Sequence, residues 1–286
     1  MDRITMEHGG GGRATGELIG EIFAREFSNE ILSEMEDCAV VLGDERIAVT
    51  TDSFVVEPLE FPGGDIGRLS ICGTVNDLLM RGAKPRYITC GFILQEGVQI
   101  AQLKRIVRSM ADTAREAGVT IVAGDTKVVE GAGGMYINTA GVGFVGKGVE
   151  ISSGNSRPGD VIIVSGSLGD HHAAILSSRM EISNTIVSDN APLHEMVGSL
   201  LREHVAVHAM RDVTRGGLAT VLKELAAGSG LLFEIEEEAL PLHPQVRDFC
   251  GLLGLDPLYM GNEGKMAAVV DAKDAGRALE LIRASR

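Results

Sequence analysis

The sequence predicts a two-domain protein of mixed helices and strands, in the α/β or α+β class. Its 286 residues suit two domains of roughly 100–200 residues each. Apolar residues recur with helical spacing in some segments and with strand spacing in others, and both patterns occur in both halves. The composition shifts at residues 152–160, which are rich in Ser, Gly, Asn and Pro. We therefore expect one domain at residues 1–153 and another at residues 154–286.

The first half opens with an amphipathic helix and then alternates between strands and helices. In chain order we predict a helix at Arg13–Phe27, strands at Cys38–Leu42 and Arg46–Thr51, a helix at Ile66–Met80, a strand at Tyr87–Leu94, a helix at Val98–Ala117, and strands at Val119–Ala123 and Met135–Val145. Gly43-Asp44-Glu45 joins the two early strands and indicates a hairpin. The helix at Ile66–Met80 has little polar face, so we expect it to be buried.

The second half repeats the mixture of strands and helices after the Ser- and Gly-rich stretch. We predict a strand at Val161–Val164, two helices between Asp170 and His204, a helix at Gly217–Ala227, a strand at Leu231–Ile235, a helix at Pro244–Leu253, a strand at Met266–Val270 and a helix at Asp274–Arg283. No short repeat period is present in the sequence. The mixture in both halves keeps the α/β and α+β classes open.

The charge balance limits the partners of the protein. Lys and Arg number 26 and Asp and Glu number 40, which gives a net charge of −14. An acidic surface repels phosphate backbones, so we expect no nucleic-acid partner. ATP remains possible, because a nucleotide that arrives with Mg²⁺ needs carboxylates as well as positive groups.

The sequence predicts a soluble, cytoplasmic protein. No apolar run reaches the ~18 residues needed to span a bilayer, and the N-terminus does not resemble a signal peptide, so we expect no membrane partner. Cys38, Cys72, Cys90 and Cys250 show no CxxC spacing, which argues against zinc ribbons and thioredoxin-like sites. Cys72 and Cys90 lie in apolar surroundings, where buried free thiols are expected.

Four aspartates are candidate magnesium ligands. Asp37 precedes a predicted strand, Asp52 follows one, Asp77 lies within an apolar helix, and Asp125 ends a strand. Converging carboxylates together with substrate phosphates are what Mg²⁺ prefers. Each aspartate could instead cap a helix or form a turn. Asp77 has no such role open to it, because it lies in a helix interior.

The stretch IVAGDTKVVEGAGG places an acid, a hydroxyl and a base directly after an apolar run. The predicted strand stops at Gly124, and Asp125, Thr126 and Lys127 follow it. Strand ends are common places for reactive groups, because the sheet holds them while the loop faces solvent. An ordinary solvated lysine at a strand end is the alternative for Lys127.

Two glycine patterns could bind a nucleotide. The run Gly9–Gly12 precedes a helix and could bind phosphate through backbone N–H groups, or could be a flexible arm. No Walker motif occurs in the chain. Gly141–Gly146 matches G-x-G-x-x-G, but it lies inside a predicted strand rather than between a strand and a helix, so we reject it as a dinucleotide motif.

Three polar motifs stand out in the second half. The adjacent pair His171-His172 has poor spacing for a metal site on a helix. The segment Arg211–Gly217 could bind an anion, or Asp212 and Thr214 could cap the following helix. For Asn262–Lys265 an ordinary surface turn is the default interpretation.

Several stretches together resemble the HypE family of hydrogenase maturation proteins. They are FPGGDIGRLSICGTVNDLLMRGAKP, GFILQEG, IVAGDTKVV, INTAGVG, VSGSLGDHH, MRDVTRGGLATVLKE and NEGK. The family belongs to the superfamily of AIR synthetase, thiamine-monophosphate kinase and selenophosphate synthetase. The resemblance runs in order over nearly the whole chain. It implies an α+β fold in two domains, an N-terminal half-barrel that forms a homodimer and a C-terminal α/β sandwich that is incomplete at its end.

The resemblance also implies an activity and a site. Family members use ATP and Mg²⁺ to dehydrate a thiocarboxamide on their own C-terminal cysteine to a thiocyanate, which supplies the cyanide ligand of the [NiFe] hydrogenase iron. Lys127 and Glu263 are the implied catalytic residues. The implied nucleotide-binding residues are Asp37, Thr51, Asp52, Asn76, Asp77, Gly124 and Asp125, of which Asp37, Asp52 and Asp77 hold the metal.

The implied partners are the carbamoyltransferase HypF and the HypC–HypD complex. The family's tail, which ends Pro-Arg-Ile-Cys, has no counterpart in this sequence, whose last residues are Ala284-Ser285-Arg286. We therefore expect nucleotide binding without self-modification in the chain as written, whether it is truncated or a tail-less relative. Two alternatives remain, a small-molecule kinase or synthetase of the same superfamily and a non-catalytic ATP-binding scaffold.

Overall fold

A computed structural model gives the structure of residues 3–9, 13–32, 43 and 46–285. The chain divides into two compact units, and each is described by itself. The first unit comprises the residues up to Glu60, Gly64–Val75 and Pro85–Phe144, and the second comprises Phe61–Gly63, Asn76–Lys84 and the residues from Val145 onward.

The described residues of the first unit form four main strands and a long amphipathic helix, together with shorter elements. Its helical segments are α1 (Arg13–Leu18), a π-helical turn (Ile19–Phe23), α2 (Ala24–Glu26), the first part of α3 (Ile66–Met80) and α4 (Ile100–Ala117). Its strands are β1 (Ile47–Phe54), most of β4 (Ala83–Gln95), β5 (Thr120–Val129) and β6 (Met135–Val145), and the short strands β2 (Glu60–Phe61) and β3 (Gly64–Asp65) lie between β1 and α3.

The four main strands form one sheet in the order β1-β6-β4-β5. β1 and β6 are antiparallel, whereas β4 and β5 are parallel and are joined through α4, as a parallel pair requires a crossover. Side chains alternate between the two faces of the sheet. The covered face carries buried residues such as Cys90, Phe92 and Ile137, and the open face carries exposed residues such as Val49 and Ile93.

The second unit surrounds a smaller antiparallel sheet. Its elements are β7 (Val161–Val164), α5 (Asp170–Arg179), α6 (His194–Arg202), β8 (Val207–Asp212), α7 (Gly217–Ser229), α8 (Pro244–Leu253), β9 (Met266–Val270) and α9 (Ala275–Ala284). The strand order is β7-β9-β8, and all five residues of the central strand β9 are buried. One apolar core packs α7 on this sheet, and a second joins α5 to α8.

Most of the predicted elements are confirmed, with boundaries that differ by a few residues. β1 and β5 are longer than predicted. β8 has no predicted counterpart, because its buried His208 interrupts the apolar pattern and is accommodated by an Asp160 carboxylate 2.7 Å away. The predicted strand Cys38–Leu42 and its hairpin lie outside the described residues.

The predicted strand at Leu231–Ile235 is wrong. Residues 231–236 have no regular secondary structure, and they line one side of a groove of about 1,140 Å³ whose other side includes β7. Leu232 is 93% exposed in this groove. Within the described residues, no strand pairs with this segment, and a strand needs a partner for its backbone hydrogen bonds.

Candidate active site

Asp125 and Lys127 lie in the interior of β5, not after its end. β5 continues to Val129, so the expectation that the strand stops at Gly124 is wrong. Asp125 is opposite Gly91 and Lys127 is opposite Ile93 in the pairing with β4. This register places both side chains on the open face of the sheet, where they are 69% and 65% exposed. The sheet therefore holds the acid and the base on one side of an edge strand.

Asp125 and Lys127 form an ion pair on this face. The Lys127 Nζ atom lies 3.0 and 3.1 Å from the two carboxylate oxygens of Asp125. The hydrogen bond from Lys127 is the main cause that lowers the pKa of Asp125. Both groups are exposed, so the pair itself contributes little to stability. The arrangement keeps a negative and a positive group side by side where a charged substrate can reach them.

Gly124 allows β5 to approach β4 closely. A Cβ atom at Gly124 would lie 2.7 Å from the Cys90 carbonyl oxygen, which is closer than real Cβ atoms come. Thr51, another predicted nucleotide residue, donates from Oγ1 to the Thr139 carbonyl at 3.0 Å. Gly124 and Thr51 therefore each make a structural contact within the sheet that the sequence did not indicate. Neither contact tests a role in nucleotide binding.

Asp52 also lies inside a strand, so the expectation that it follows one is wrong. It is opposite the buried Thr139 and therefore projects from the covered face of the sheet. Its Oδ1 accepts a hydrogen bond from the Ser53 N–H at 2.7 Å, and its Oδ2 would lie 3.6 Å from a Cβ atom at Gly73 of α3. Asp52 and Asp125 thus project from opposite faces of the sheet.

Two of the three aspartates assigned to the metal, Asp52 and Asp77, lie in the described residues, and these residues contain no complete protein cage for Mg²⁺. Asp37 lies outside the described residues. Among the residues that are described, no group of three His, Cys, Asp or Glu side chains could hold a metal ion. Mg²⁺ is usually bound through one or two carboxylates plus substrate phosphates and water. A phosphate-bridged Mg²⁺ therefore fits the donor set that Asp52 offers, and an ion held by protein ligands alone does not.

The turn Asn262–Lys265 is buried and firmly held, so its interpretation as an ordinary surface turn is wrong. Asn262 is fully buried, and its side chain accepts from the Gly169 N–H at 2.8 Å and donates to the Val213 and Met260 carbonyls. A Cβ atom at Gly264 would lie 2.0 Å from the Asp189 carbonyl oxygen. These contacts fix the backbone on both sides of Glu263, whose side chain is 17% exposed.

Asp189 holds the same turn from the other side. Its carboxylate accepts from the Glu263 and Gly264 N–H groups at 3.1 and 3.3 Å and from the Lys265 Nζ at 2.9 Å. The side chain of Asp189 is 4% exposed, so this ion pair is shielded from solvent. Sequence reasoning missed Asp189. The pairing of an acid in a polar loop with a lysine 76 residues later gives no local signal.

Asn76 forms three hydrogen bonds to backbone groups of the second unit. Its amide nitrogen donates to the Ala191 carbonyl at 3.1 Å and the Glu263 carbonyl at 3.4 Å, and its oxygen accepts from the Leu193 N–H at 2.8 Å. An asparagine amide has two N–H donors, and both are used here. Asn76 therefore holds the turn that carries Glu263, and its implied role in nucleotide binding stays a prediction.

His171 lies beside Glu263. The His171 Nε2 atom is 4.0 Å from the Glu263 Oε1 atom, and the imidazole side chain is 12% exposed. Burial lowers the pKa of His171 to about 4, although the Asp189 charge acts in the opposite direction. The imidazole is therefore neutral at pH 7. The sequence singled out His171 only as half of a weak metal motif, which gave no reason to connect it with Glu263.

Asp77 lines a cavity of about 380 Å³ in the second unit. Three basic residues also line this cavity: Arg81, which follows α3, and Arg211 and Arg215 of the segment Arg211–Gly217. Gly216 occupies the N-cap position of α7, so the alternative that Asp212 or Thr214 is the capping residue is wrong. The alternative that this segment binds an anion stays a prediction.

The glycine patterns, the cysteines and the absence of a predicted membrane span can each be compared with the structure. The rejection of Gly141–Gly146 as a dinucleotide motif is confirmed, because β6 runs through it. Most of the glycine run lies outside the described residues. Cys72, Cys90 and Cys250 are buried free thiols, as predicted for the first two. No helix in the described part of the chain is long and apolar enough to cross a membrane.

Comparisons with known protein families give matches to both halves of the chain. Residues 35–145 match the AIR synthase related protein, N-terminal domain, and residues 157–286 match the corresponding C-terminal domain. Carbamoyl dehydratase HypE of Cupriavidus necator is 51% identical over 98% of this chain and 82% of its own length. The Escherichia coli protein of the same name is 45% identical over 99% of this chain and 87% of its own length.

Solved structures match over similar lengths. A crystal structure of hydrogenase maturation protein HypE in complex with ATP has a TM-score of 0.95 at 47% identity, covering 97% of this chain and 84% of that one. A HypE–HypF complex matches with a TM-score of 0.81 at 48% identity, covering 93% and 88%. Thiamine-monophosphate kinase from Stenotrophomonas maltophilia, at 21% identity and a TM-score of 0.71 over 93% and 89%, shares the fold alone. The α+β prediction is confirmed.

Proposed function

Because the chain belongs to the HypE family of carbamoyl dehydratases, we propose that it catalyses the ATP-dependent dehydration of a cysteine thiocarboxamide to a thiocyanate. The observation that carries this proposal is the shielded carboxylate of Glu263, whose backbone is held by hydrogen bonds on both sides. A largely buried carboxylate on a firmly held turn suits proton removal from an amide nitrogen.

The reaction removes the elements of water from a primary amide. The thiocarboxamide oxygen attacks the γ-phosphorus of ATP and ADP leaves, so a poor leaving group becomes a phosphate. The nitrogen then loses its two protons as the C–O bond breaks, and the carbon–nitrogen triple bond forms. The products are a thiocyanate, ADP and phosphate. The chain must therefore stabilise phosphoryl transfer and accept protons.

Glu263 is our candidate for the group that accepts a proton from nitrogen. Its backbone N–H is held by Asp189, and its backbone carbonyl accepts from Asn76 and from the Ala191 N–H at 3.4 Å. These contacts restrict the turn without involving the carboxylate. A base that is held in place requires little reorganisation when the substrate binds.

Lys127 is our candidate for stabilising charge on the transferring phosphoryl group. A lysine ammonium can offset the negative charge that develops on phosphoryl oxygens. Asp125 holds the ammonium at 3.0 Å on the open face of the sheet. β5 thereby presents a cation and an anion side by side on one face. This pair suits Mg-ATP, which carries both positive and negative charge, better than a lone lysine would.

We propose that the chain binds ATP with Mg²⁺ and that Asp52 contributes a metal ligand. The family resemblance gives Asp37 and Asp77 the same role and adds Gly124 and Asp125 to the nucleotide site. Mg²⁺, when bound, would neutralise triphosphate charge and polarise the γ-phosphoryl group. Asp77→Asn should weaken Mg-ATP binding sharply in calorimetry. An unchanged affinity would remove Asp77 from the site.

A homodimer built on the first unit is part of the proposal. The open face of its sheet carries four exposed apolar side chains, Ile47, Val49, Ile93 and Val129. Such a face favours a second sheet as its partner. HypF, seen in complex with a relative, is the proposed carbamoyl donor and the HypC–HypD complex the proposed acceptor of the cyano group. Free thiols in the described residues agree with a cytoplasmic location.

The roles of Lys127 and Glu263 can be tested by following the two steps separately. The acceptor cysteine is supplied by joining to Arg286 the family's terminal segment, ending Pro-Arg-Ile-Cys. With a carbamoyl donor, Lys127→Ala and Glu263→Gln should gain the carbamoyl mass but fail to lose one water on addition of ATP. The exposed Lys147→Ala and Glu238→Gln variants are matched controls and should dehydrate normally. Normal dehydration by both site variants would refute these assignments.

A further inference from the structure

Ser188 holds the imidazole ring of His171 at its Nδ1 atom, while the Nε2 atom lies beside Glu263. Ser188 Oγ lies 2.8 Å from His171 Nδ1, and the Phe61 ring packs edge-on to the imidazole with centroids 5.5 Å apart. Ser188 is itself fixed, because its N–H donates to the Pro62 carbonyl at 2.8 Å. A Cβ atom at Gly63 would clash with the Ser188 backbone at 2.6 Å. The imidazole therefore has little freedom to turn away from Glu263.

The contacts of Ser188 indicate which nitrogen of His171 carries the proton. Ser188 Oγ already accepts a hydrogen bond from the Asn190 N–H at 3.2 Å. Ser188 is buried, so its hydroxyl hydrogen needs an acceptor, and His171 Nδ1 is in place to accept it. A neutral imidazole that accepts at Nδ1 carries its proton on Nε2. That N–H is the one beside Glu263.

We propose that His171 is a positioning residue for Glu263, and that its Nε2–H donates to the Glu263 carboxylate and keeps it ionised and correctly aimed. The inference rests on the proposed function, in which Glu263 accepts a proton from the substrate nitrogen. The separation of 4.0 Å in the free protein is long for a hydrogen bond. Such contacts commonly shorten when the substrate complex forms.

A neutral donor suits this task better than a charged one. The low pKa of His171, caused mainly by burial, keeps the imidazole uncharged at pH 7. A neutral N–H favours the carboxylate form by hydrogen bonding. An imidazolium would form an ion pair and make the carboxylate a weaker base. The other titratable groups that face the pair are Asp189 and Lys265, which form an ion pair, and His172 on α5.

The first test determines the tautomer in the 286-residue chain. Imidazole ¹⁵N chemical shifts at pH 7 should show His171 protonated at Nε2 and unprotonated at Nδ1. Ser188→Ala should remove the preference for this tautomer. The adjacent, exposed His172 provides a matched control, and His172→Gln should leave the His171 signals unchanged. A His171 that carries its proton on Nδ1, with Nε2 as the acceptor, would overturn the proposal.

The second test measures single-turnover dehydration as a function of pH in the tail-bearing chain. His171→Ala should slow dehydration at pH 7 by about tenfold. It should also shift the acid limb of the pH–rate profile to higher pH by about one unit, because the Glu263 carboxylate loses a hydrogen-bond donor. His171→Gln keeps an N–H donor and should restore part of the rate. The KM for ATP should not change, because His171 does not contact the nucleotide in the proposed mechanism.

The outcomes separate this inference from the proposed function. If Glu263→Gln abolishes dehydration but His171→Ala leaves the acid limb in place, only the role of His171 is refuted. A lower rate with an unshifted limb and no rescue by His171→Gln would indicate a structural role and would also refute it. If Glu263→Gln dehydrates normally, the assignment of Glu263 fails and the inference fails with it.

Discussion

His171 should make the folded protein sensitive to acid. An unfolded chain binds a proton at His171 near the ordinary pKa of 6.5, whereas the folded protein resists protonation until about pH 4. As pH falls between these values, the unfolded state takes up a proton that the folded state does not, so the free energy of unfolding decreases. The difference between the two pKa values corresponds to about 3 kcal/mol of the free energy of unfolding, which is lost progressively between pH 6.5 and pH 4.

The assay is urea denaturation at pH 7 and pH 4 for the wild type and His171→Gln. The chain contains no Trp, so unfolding should be followed by circular dichroism. Glutamine does not titrate, and carboxylate effects shared by both proteins cancel in the comparison. The advantage of the wild type over the variant should be about 3 kcal/mol smaller at pH 4 than at pH 7. Parallel pH profiles for the two proteins would refute the assignment of a buried, neutral His171.

Three further predictions concern stability, the site and assembly. Asn76→Ala should lower the free energy of unfolding by about 3 kcal/mol in urea denaturation, because it removes three hydrogen bonds to buried or partly buried backbone groups, each worth about 1 kcal/mol; a loss below about 1 kcal/mol would contradict this. Gly264→Ala should reduce dehydration far more than Mg-ATP affinity, since its Cβ would displace the turn against Asp189; equal losses in turnover and calorimetry would count against it. In light scattering the wild type should give a dimer and Val49→Glu a monomer, because the introduced charge lies on the open face; an unchanged mass would remove that face from the interface.

The regular elements could be predicted because their local patterns agree with their environments. α4 combines an apolar stripe with a Gly118 that ends it in the left-handed conformation, and its predicted end at Ala117 is confirmed. β9 is an uninterrupted apolar run and is fully buried, as such runs favour. Elements of this kind need no information from distant residues.

The length of β5 could not be predicted from local pattern. Beyond Gly124 the strand continues as an edge strand, and its Asp125 and Lys127 side chains face outward from the open face. Their polarity resembles that of a loop, because Gly124 and Thr126, which alternate with them, are not apolar, so no hydrophobic alternation marks this part of the strand. The partner residues on β4 define the strand, and they lie more than thirty residues earlier in the chain.

The candidate site was predicted in part. Sequence reasoning singled out Glu263 and Lys127 through the family resemblance, and these assignments remain proposals. It did not identify the support around Glu263, which comes from Asn76, Asp189 and His171. These residues approach the turn from three distant parts of the chain. Single-sequence patterns report local periodicity, so they give no signal for such contacts.

The most direct test of the central claim is the intact mass of the carbamoylated, tail-bearing chain before and after ATP is added. We predict that Mg-ATP converts the carbamoylated cysteine to a species lighter by one water, with one ADP formed per chain. ADP or omission of Mg²⁺ should leave the carbamoyl mass unchanged. Stable carbamoyl mass in the presence of Mg-ATP, in protein that binds the nucleotide, would contradict the claim that this chain is a dehydratase.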